Sequence, residues 1–142
     1  MQANTSRNNL NNYNLLENFS NLVIFTTLGC NANCSYCYEQ GERDNKIKMT
    51  PEVADKIIDL IEKTNKKKIY LSWFGGEPLY NANIITYICS KLKEKNVEYS
   101  SSMITNGLLF NSEMIKEAKK LWKMTHLQIT IDGTEYEYEK IK

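Results

Sequence analysis

Three cysteines fall within eight positions, Cys30-Asn-Ala-Asn-Cys34-Ser-Tyr-Cys37, while Cys89 stands alone. Thiolates at spacings of four and three on one tight loop suit a cubane [4Fe-4S] cluster better than a disulfide. Three cysteines leave one iron without a ligand from the chain, and such an iron can take an exogenous chelate such as an amino-acid head group. Two other chemistries could use the same residues: a Cys3His zinc site that recruits His126, and a dithiol formed by Cys34 and Cys37. A second candidate is Trp73-Phe74-Gly75-Gly76-Glu77-Pro78. Two glycines let a backbone bend sharply and come close to a ligand, Glu77 offers a carboxylate to a cation, and Pro78 restrains the exit. The stretch Gly75 to Pro78 reads equally as an ordinary turn ahead of a helix.

The chain that must position these residues has 142 residues, 18 Lys plus Arg against 17 Asp plus Glu, 42% hydrophobic and 25% charged residues, the proportions of one ordinary soluble domain. A chain of this size buries roughly two thirds of its unfolded surface, enough for a core without disulfides or a structural metal. A net charge of +1 argues against nucleic acid or an anionic membrane as a partner held by bulk electrostatics. Lys66, Lys67 and Lys68 read as a solvated helix end. The longest apolar run, Leu22 to Phe25, is far short of the roughly 20 residues of a spanning helix, and the N-terminus has no signal-peptide core. The expected location is the cytoplasm, where clustered cysteines serve metal or redox chemistry. Residues 1–21, rich in asparagine and poor in apolar side chains, read as a loose leader, and residues 22–142 as the folded domain.

From Leu22 onward, short β-branched or apolar runs alternate with helical stretches, the signature of parallel βα units. The expected strands are Leu22 to Thr27, Lys68 to Trp73, Glu98 to Thr105 and Leu127 to Ile131. Thr50 and Pro51 mark a helix start, with Val53, Ile57, Leu60 and Ile61 on one face as far as about Lys63. A second helix, roughly Ala82 to Lys95, carries the stripe Ile84, Ile85, Ile88 and Leu92, with Cys89 beside it as a core thiol. A third follows Asn111 or Ser112, and Glu135 to Lys142 begins a fourth. In such a sheet the loops after the strands converge on one edge. The cysteines, Gly75 to Pro78, Asn106-Gly107 and Asp132-Gly133 all lie on those loops. His126, placed ahead of strand four, is expected at the wrong end for catalysis.

C-x3-C-x2-C with an aromatic before the last cysteine, then Gly-Gly-Glu-Pro, Thr105-Asn106-Gly107 and Thr130-Ile131-Asp132-Gly133 in that order, resembles the radical S-adenosylmethionine (radical SAM) superfamily from about Leu22 onward. The resemblance implies an α/β parallel-sheet partial TIM-type barrel, here about four βα units of a (β/α)6 core. It implies that Cys30, Cys34 and Cys37 hold a [4Fe-4S] cluster whose open iron takes S-adenosylmethionine, yielding a 5′-deoxyadenosyl radical. Tyr36 would lie against the adenine, Gly75, Gly76, Glu77 and Pro78 would receive the methionine amino group with Glu77 as charge partner, and Thr130 would meet the carboxylate. Asn106 is placed with these cofactor contacts, although like Asp132 it reads equally as a loop cap.

Trp73 to Leu79 and Gln128 to Thr134 resemble the branch of peptide and protein maturases that includes sulfatase-maturating enzymes of SPASM type. That resemblance implies a peptide or protein substrate and a reductant such as flavodoxin or ferredoxin. Strands five and six of the family's barrel are not in this sequence, so the expectation is a truncated chain, with the C-terminal half of the barrel as a partner. The contrasting expectation is a catalytically incomplete fragment, or a zinc-binding or interaction module that retains the cysteine motif.

Overall fold

The computed structural model describes residues 19–64 and 66–141. All but the last three residues of the expected leader lie outside the described residues. Of those three, Asn21 opens the first strand, the Ser20 carbonyl accepts from Tyr70 N–H at 2.8 Å, and Phe19 packs against the core. The elements are β1 (Asn21–Phe25), α1 (Pro51–Glu62), β2 (Lys68–Phe74), a 3-10 turn (Pro78–Asn81), α2 (Ala82–Glu94), β3 (Glu98–Thr105), α3 (Ser112–Lys120), β4 (Met124–Ile129) and α4 (Glu135–Ile141). The strands form one parallel sheet in the order β1-β2-β3-β4. Parallel neighbours require crossovers, which α1, α2 and α3 supply, and the result is the expected partial barrel.

Register sorts the side chains. Ile24, Leu71, Trp73 and Met103 fall on one face together with Ile69 and Tyr99, all buried, and they pack with Ala54, Ile58 and Ile61 of α1 and Ile84, Ile85, Ile88 and Leu92 of α2. Each fully buried aliphatic side chain contributes about 1.5–3 kcal/mol, so this layer holds the sheet in place. The opposite face mixes Val23, Phe25 and Phe74 with Ser72 and Ser102, whose hydroxyls lie 3.2 Å apart. Phe25 and Phe74 meet edge to face, with ring centres 5.1 Å apart.

Helix ends follow local chemistry. Thr50 is extended ahead of Pro51 at the first position of α1, though its side chain makes no cap bond. Asn111 caps α3 by accepting from Glu113 N–H and Met114 N–H at 3.0 and 2.8 Å. Among the described residues no helix is long and apolar enough to cross a membrane.

Several strand boundaries differ from the sequence reading: β1 begins one residue earlier and β2 ends one residue later than expected, and β4 ends at Ile129 rather than Ile131. β1 stops at Phe25 because Thr27 leaves the ladder for an antiparallel bridge with Lys48. β4 starts three residues early, at Met124. Buried Trp122 delivers the chain directly into the sheet, its carbonyl accepting from Ser101 Oγ at 2.6 Å, and an irregularity at Ser101/Ser102 absorbs Thr125. Polar Thr125 and His126 are tolerated because this strand is largely exposed, which is why an apolar run did not reveal them. His126 therefore lies inside β4, in register with Ser102, and not ahead of the strand.

Cys89 is fully buried, and burial pushes its thiol up from 9.0 to about 12. Cys89→Ser puts a hydroxyl in an apolar site and should cost about 1–3 kcal/mol in urea unfolding of the metal-free chain. Because the folded pKa lies above the unfolded one, the wild type should lose stability relative to the Ser variant as pH rises from 9 towards 12, and not below.

Candidate cofactor site

The cysteines ride on the loop between β1 and α1, and both ends of that loop are fastened. Leu28 N–H and Thr27 Oγ1 donate to the Ile47 carbonyl at 3.0 and 2.8 Å, Met49 N–H donates to the Thr26 carbonyl at 2.8 Å, and Cys30 N–H donates to Asn45 Oδ1 at 2.9 Å. Within the loop, Cys37 N–H donates to the Cys34 carbonyl at 3.2 Å. All three are free thiols, Cys34 buried and Cys30 and Cys37 half-buried.

This loop sits on the glycines that follow β2. Gly76 N–H donates to the Thr27 carbonyl at 3.2 Å and Glu77 N–H to the Gly29 carbonyl at 2.9 Å. Gly75 has φ +130, and a Cβ there would stand 2.3 Å from the Thr27 carbonyl oxygen; one on Gly76 would stand 2.4 Å from that of Gly29. The sequence reading assigned these glycines to the approach of a ligand. The structure adds a nearer requirement, the backbone of the cysteine loop itself.

Glu77 is 1% exposed, and its carboxylate takes donors from inside the protein while also lining the cavity beside the cysteines. Oε1 accepts from Thr105 Oγ1 at 2.7 Å and Leu79 N–H at 3.1 Å, and Oε2 accepts from Asn106 N–H at 2.8 Å. The side chain thereby joins the end of β2 to the end of β3. Asn106 continues the chain of contacts: its Nδ2 donates to Asn31 Oδ1 at 3.0 Å and to Cys30 Sγ at 3.8 Å, and its carbonyl accepts from Tyr138 of α4 at 2.7 Å. Tyr36 donates to Asp132 Oδ2, linking the cysteine loop to the segment after β4.

These loops enclose a cavity of about 150 Å³. Its lining includes Cys30, Cys34, Cys37, Tyr36, Gly75, Gly76, Glu77, Asn106 and Thr130, so the topology gathers residues from all four strand ends. Pro78 is not in the lining; it is buried at the start of the 3-10 turn, where its carbonyl accepts from Thr26 Oγ1 at 3.1 Å. Two residues the sequence reading did not single out also belong here. Arg43 lines the cavity beside the cysteines, and Tyr138 anchors α4 over Asn106. Thr134 and Glu137 form a capping box at the start of that helix, a signal that could have located Tyr138.

The residues fit an iron-sulfur cluster better than a single ion. One wall carries three free thiols, yet among the described residues no three His, Cys, Asp or Glu side chains converge as one metal ion requires. In a cubane each cysteine binds its own iron, so the thiols need only share a wall. Residues 24–142 match the radical SAM superfamily. The chain belongs to that superfamily.

Membership brings a [4Fe-4S] cluster and S-adenosylmethionine as cofactors. Relatives of this radical SAM chain include the radical SAM cyclopropyl synthase TigE of Paramaledivibacter caminithermalis, 34% identical over 73% of this chain and 25% of the relative. A probable GTP 3′,8-cyclase of Pyrococcus horikoshii is 36% identical over 70% of this chain and 31% of its own length. Among solved structures, native anSMEcpe with bound AdoMet and Kp18Cys peptide shares the fold with a TM-score of 0.69 at 21% identity, over 85% of this chain and 34% of that one. The chain thus spans about a quarter to a third of the length of these proteins.

Gly76→Val should both destabilise the metal-free chain by about 1–3 kcal/mol and reduce iron uptake, since the valine pushes on the cysteine loop. Chemical denaturation and iron quantification check the two effects. Glu77→Gln turns one acceptor into a donor among Leu79, Thr105 and Asn106 and should cost about 2 kcal/mol by the same denaturation assay.

Proposed function

We propose that this chain carries the cofactor-binding part of a radical SAM enzyme that modifies a peptide or protein. The observation that supports it most is the seating of the three-cysteine loop on Gly75 and Gly76, with the ends of β3 and β4 closing the same cavity. Cys30, Cys34 and Cys37 hold the cluster. The backbone at Gly75 and Gly76 receives the methionine amino group, Thr130 its carboxylate, and Tyr36 lies against the adenine. Glu77 acts through Thr105 and Asn106, keeping the loops at the right separation, and Asn106 donates towards Cys30. When bound, the two cofactors supply a 5′-deoxyadenosyl radical that removes a hydrogen atom from substrate. The protein's part is to aim that reactive carbon and exclude water, and Phe25, Phe74 and Ile104 give the neighbouring sheet face an apolar character suited to it.

The peptide substrate is taken from the wording of Trp73 to Leu79 and Gln128 to Thr134 and from the likeness to anSMEcpe, solved with bound peptide. The probable GTP 3′,8-cyclases among the relatives favour a purine nucleotide as the second reading. The electron comes from a low-potential donor of flavodoxin or ferredoxin type, and the cytoplasm is the compartment that keeps such thiols reduced.

Anaerobic reconstitution with iron and sulfide should give about four irons per chain and a reduced-state electron paramagnetic resonance spectrum that shifts on adding S-adenosylmethionine. Cys34→Ala should abolish iron uptake. A wild-type chain that takes no cluster, or whose spectrum ignores the cofactor, would sink the reading; protection of the cavity by peptide but not by GTP would separate the two substrates.

A further inference from the structure

Of the 18 basic residues only two are arginines, Arg7 and Arg43. Arg43 lies six positions after Cys37, on a loop where most side chains face solvent. Its own side chain folds back instead. Nη1 donates to the Ala32 carbonyl, inside the cysteine motif, at 2.6 Å, with Asn33 Oδ1 at 3.4 Å. Among the described residues it makes no ion pair with a carboxylate. Among the described residues its Nε is screened from solvent and finds no hydrogen-bond partner, a condition it shares there with Trp73 Nε1, which belongs to the hydrophobic core. Burial acts to lower the Arg43 pKa, but a side-chain hydrogen bond with Cys37 and the charge of Cys37, Cys30 and Cys34 outweigh it and raise the pKa; the same guanidinium lines the cavity beside these three cysteines.

A cationic N–H that is buried without an acceptor is costly, and the Cys37 side chain, which the guanidinium already engages, marks the side from which an acceptor for Nε would come. The sulfurs of a thiolate-bound cluster are such acceptors. We infer that Arg43 is a positioning residue for the iron-sulfur cluster, whose buried Nε–H donates to sulfur at the Cys30, Cys34 and Cys37 site and whose fixed charge makes the cluster easier to reduce. The inference rests on the cluster assignment proposed above. Its sign follows from charge: reduction adds one electron, taken from an external low-potential donor, and a cation held in place stabilises the more negative state more. The Nη1 bond to Ala32 keeps that charge from swinging into solvent. Lysine could supply the charge, but not the Ala32 bond and a second inward donor together.

The test compares wild type, Arg43→Lys and Arg43→Gln, each reconstituted anaerobically and titrated with dithionite while electron paramagnetic resonance follows the reduced cluster. All three should hold about four irons per chain. Arg43→Gln should be about tenfold harder to reduce, a shift of about 59 mV to lower potential for one electron, with Arg43→Lys in between. A potential in Arg43→Gln equal to that of wild type overturns the inference. So does loss of iron from both variants with circular dichroism unchanged, since Arg43 would then only build the loop through Ala32. Wild type without a cluster overturns the parent assignment as well, whereas a loaded wild type with unshifted variants overturns this inference alone.

Discussion

A carboxylate taken out of water costs several kcal/mol unless it is hydrogen-bonded, and Glu77 takes three donors from two different loops. Thr105 and Asn106 come from the end of β3, and Leu79 from the turn after β2. Charge-assisted bonds of this kind are short and directional, so they set the separation of the two strand ends. The backbone N–H of the same residue donates to Gly29, so the cysteine loop is referred to the same point. Remove this buried carboxylate and the ends of β2 and β3 lose their tie, while the cysteine loop stays joined to the end of β2 through backbone bonds alone.

Around that anchor the structure divides its labour by charge. The carboxylate of Glu77 takes three donors from inside the protein, and beside the cysteines the cavity wall also carries donors: Asn106 Nδ2, and Arg43 with its screened Nε. Donors suit a site meant for electron-rich sulfur. On the other side of the sheet ends, Phe25 and Phe74 keep an aromatic surface next to the polar one.

Much of this was legible in the residues. The order of strands, the helix starts at Pro51 and after Asn111, and the core stripe of α2 follow from periodicity and capping, which are local properties. The start of β4 was not legible, because an edge strand with an exposed face has no need of apolar alternation at Thr125 and His126. The glycines were visible as glycines, but what crowds them was not: the Thr27 and Gly29 carbonyls lie nearly fifty residues away in sequence. Glu77 was visible as a carboxylate at a strand end, but that Thr105 and Asn106 donate to it is a fact that only the packing of β3 against β2 creates.

What the sequence determined by itself is the chemistry that can be held: three thiols close along the chain keep their mutual reach whatever the rest of the fold does, and the alternation of strand and helix periods dictates parallel βα units. What only the tertiary structure decided is how that chemistry is framed. Arg43 turns back under Ala32 within its own loop, while Asn106 reaches Cys30 and Tyr138 closes over Asn106 through contacts between segments far apart in the chain. Such pairings depend on register and on which loop ends up beside which, and these are set by burial of the whole sheet against its helices.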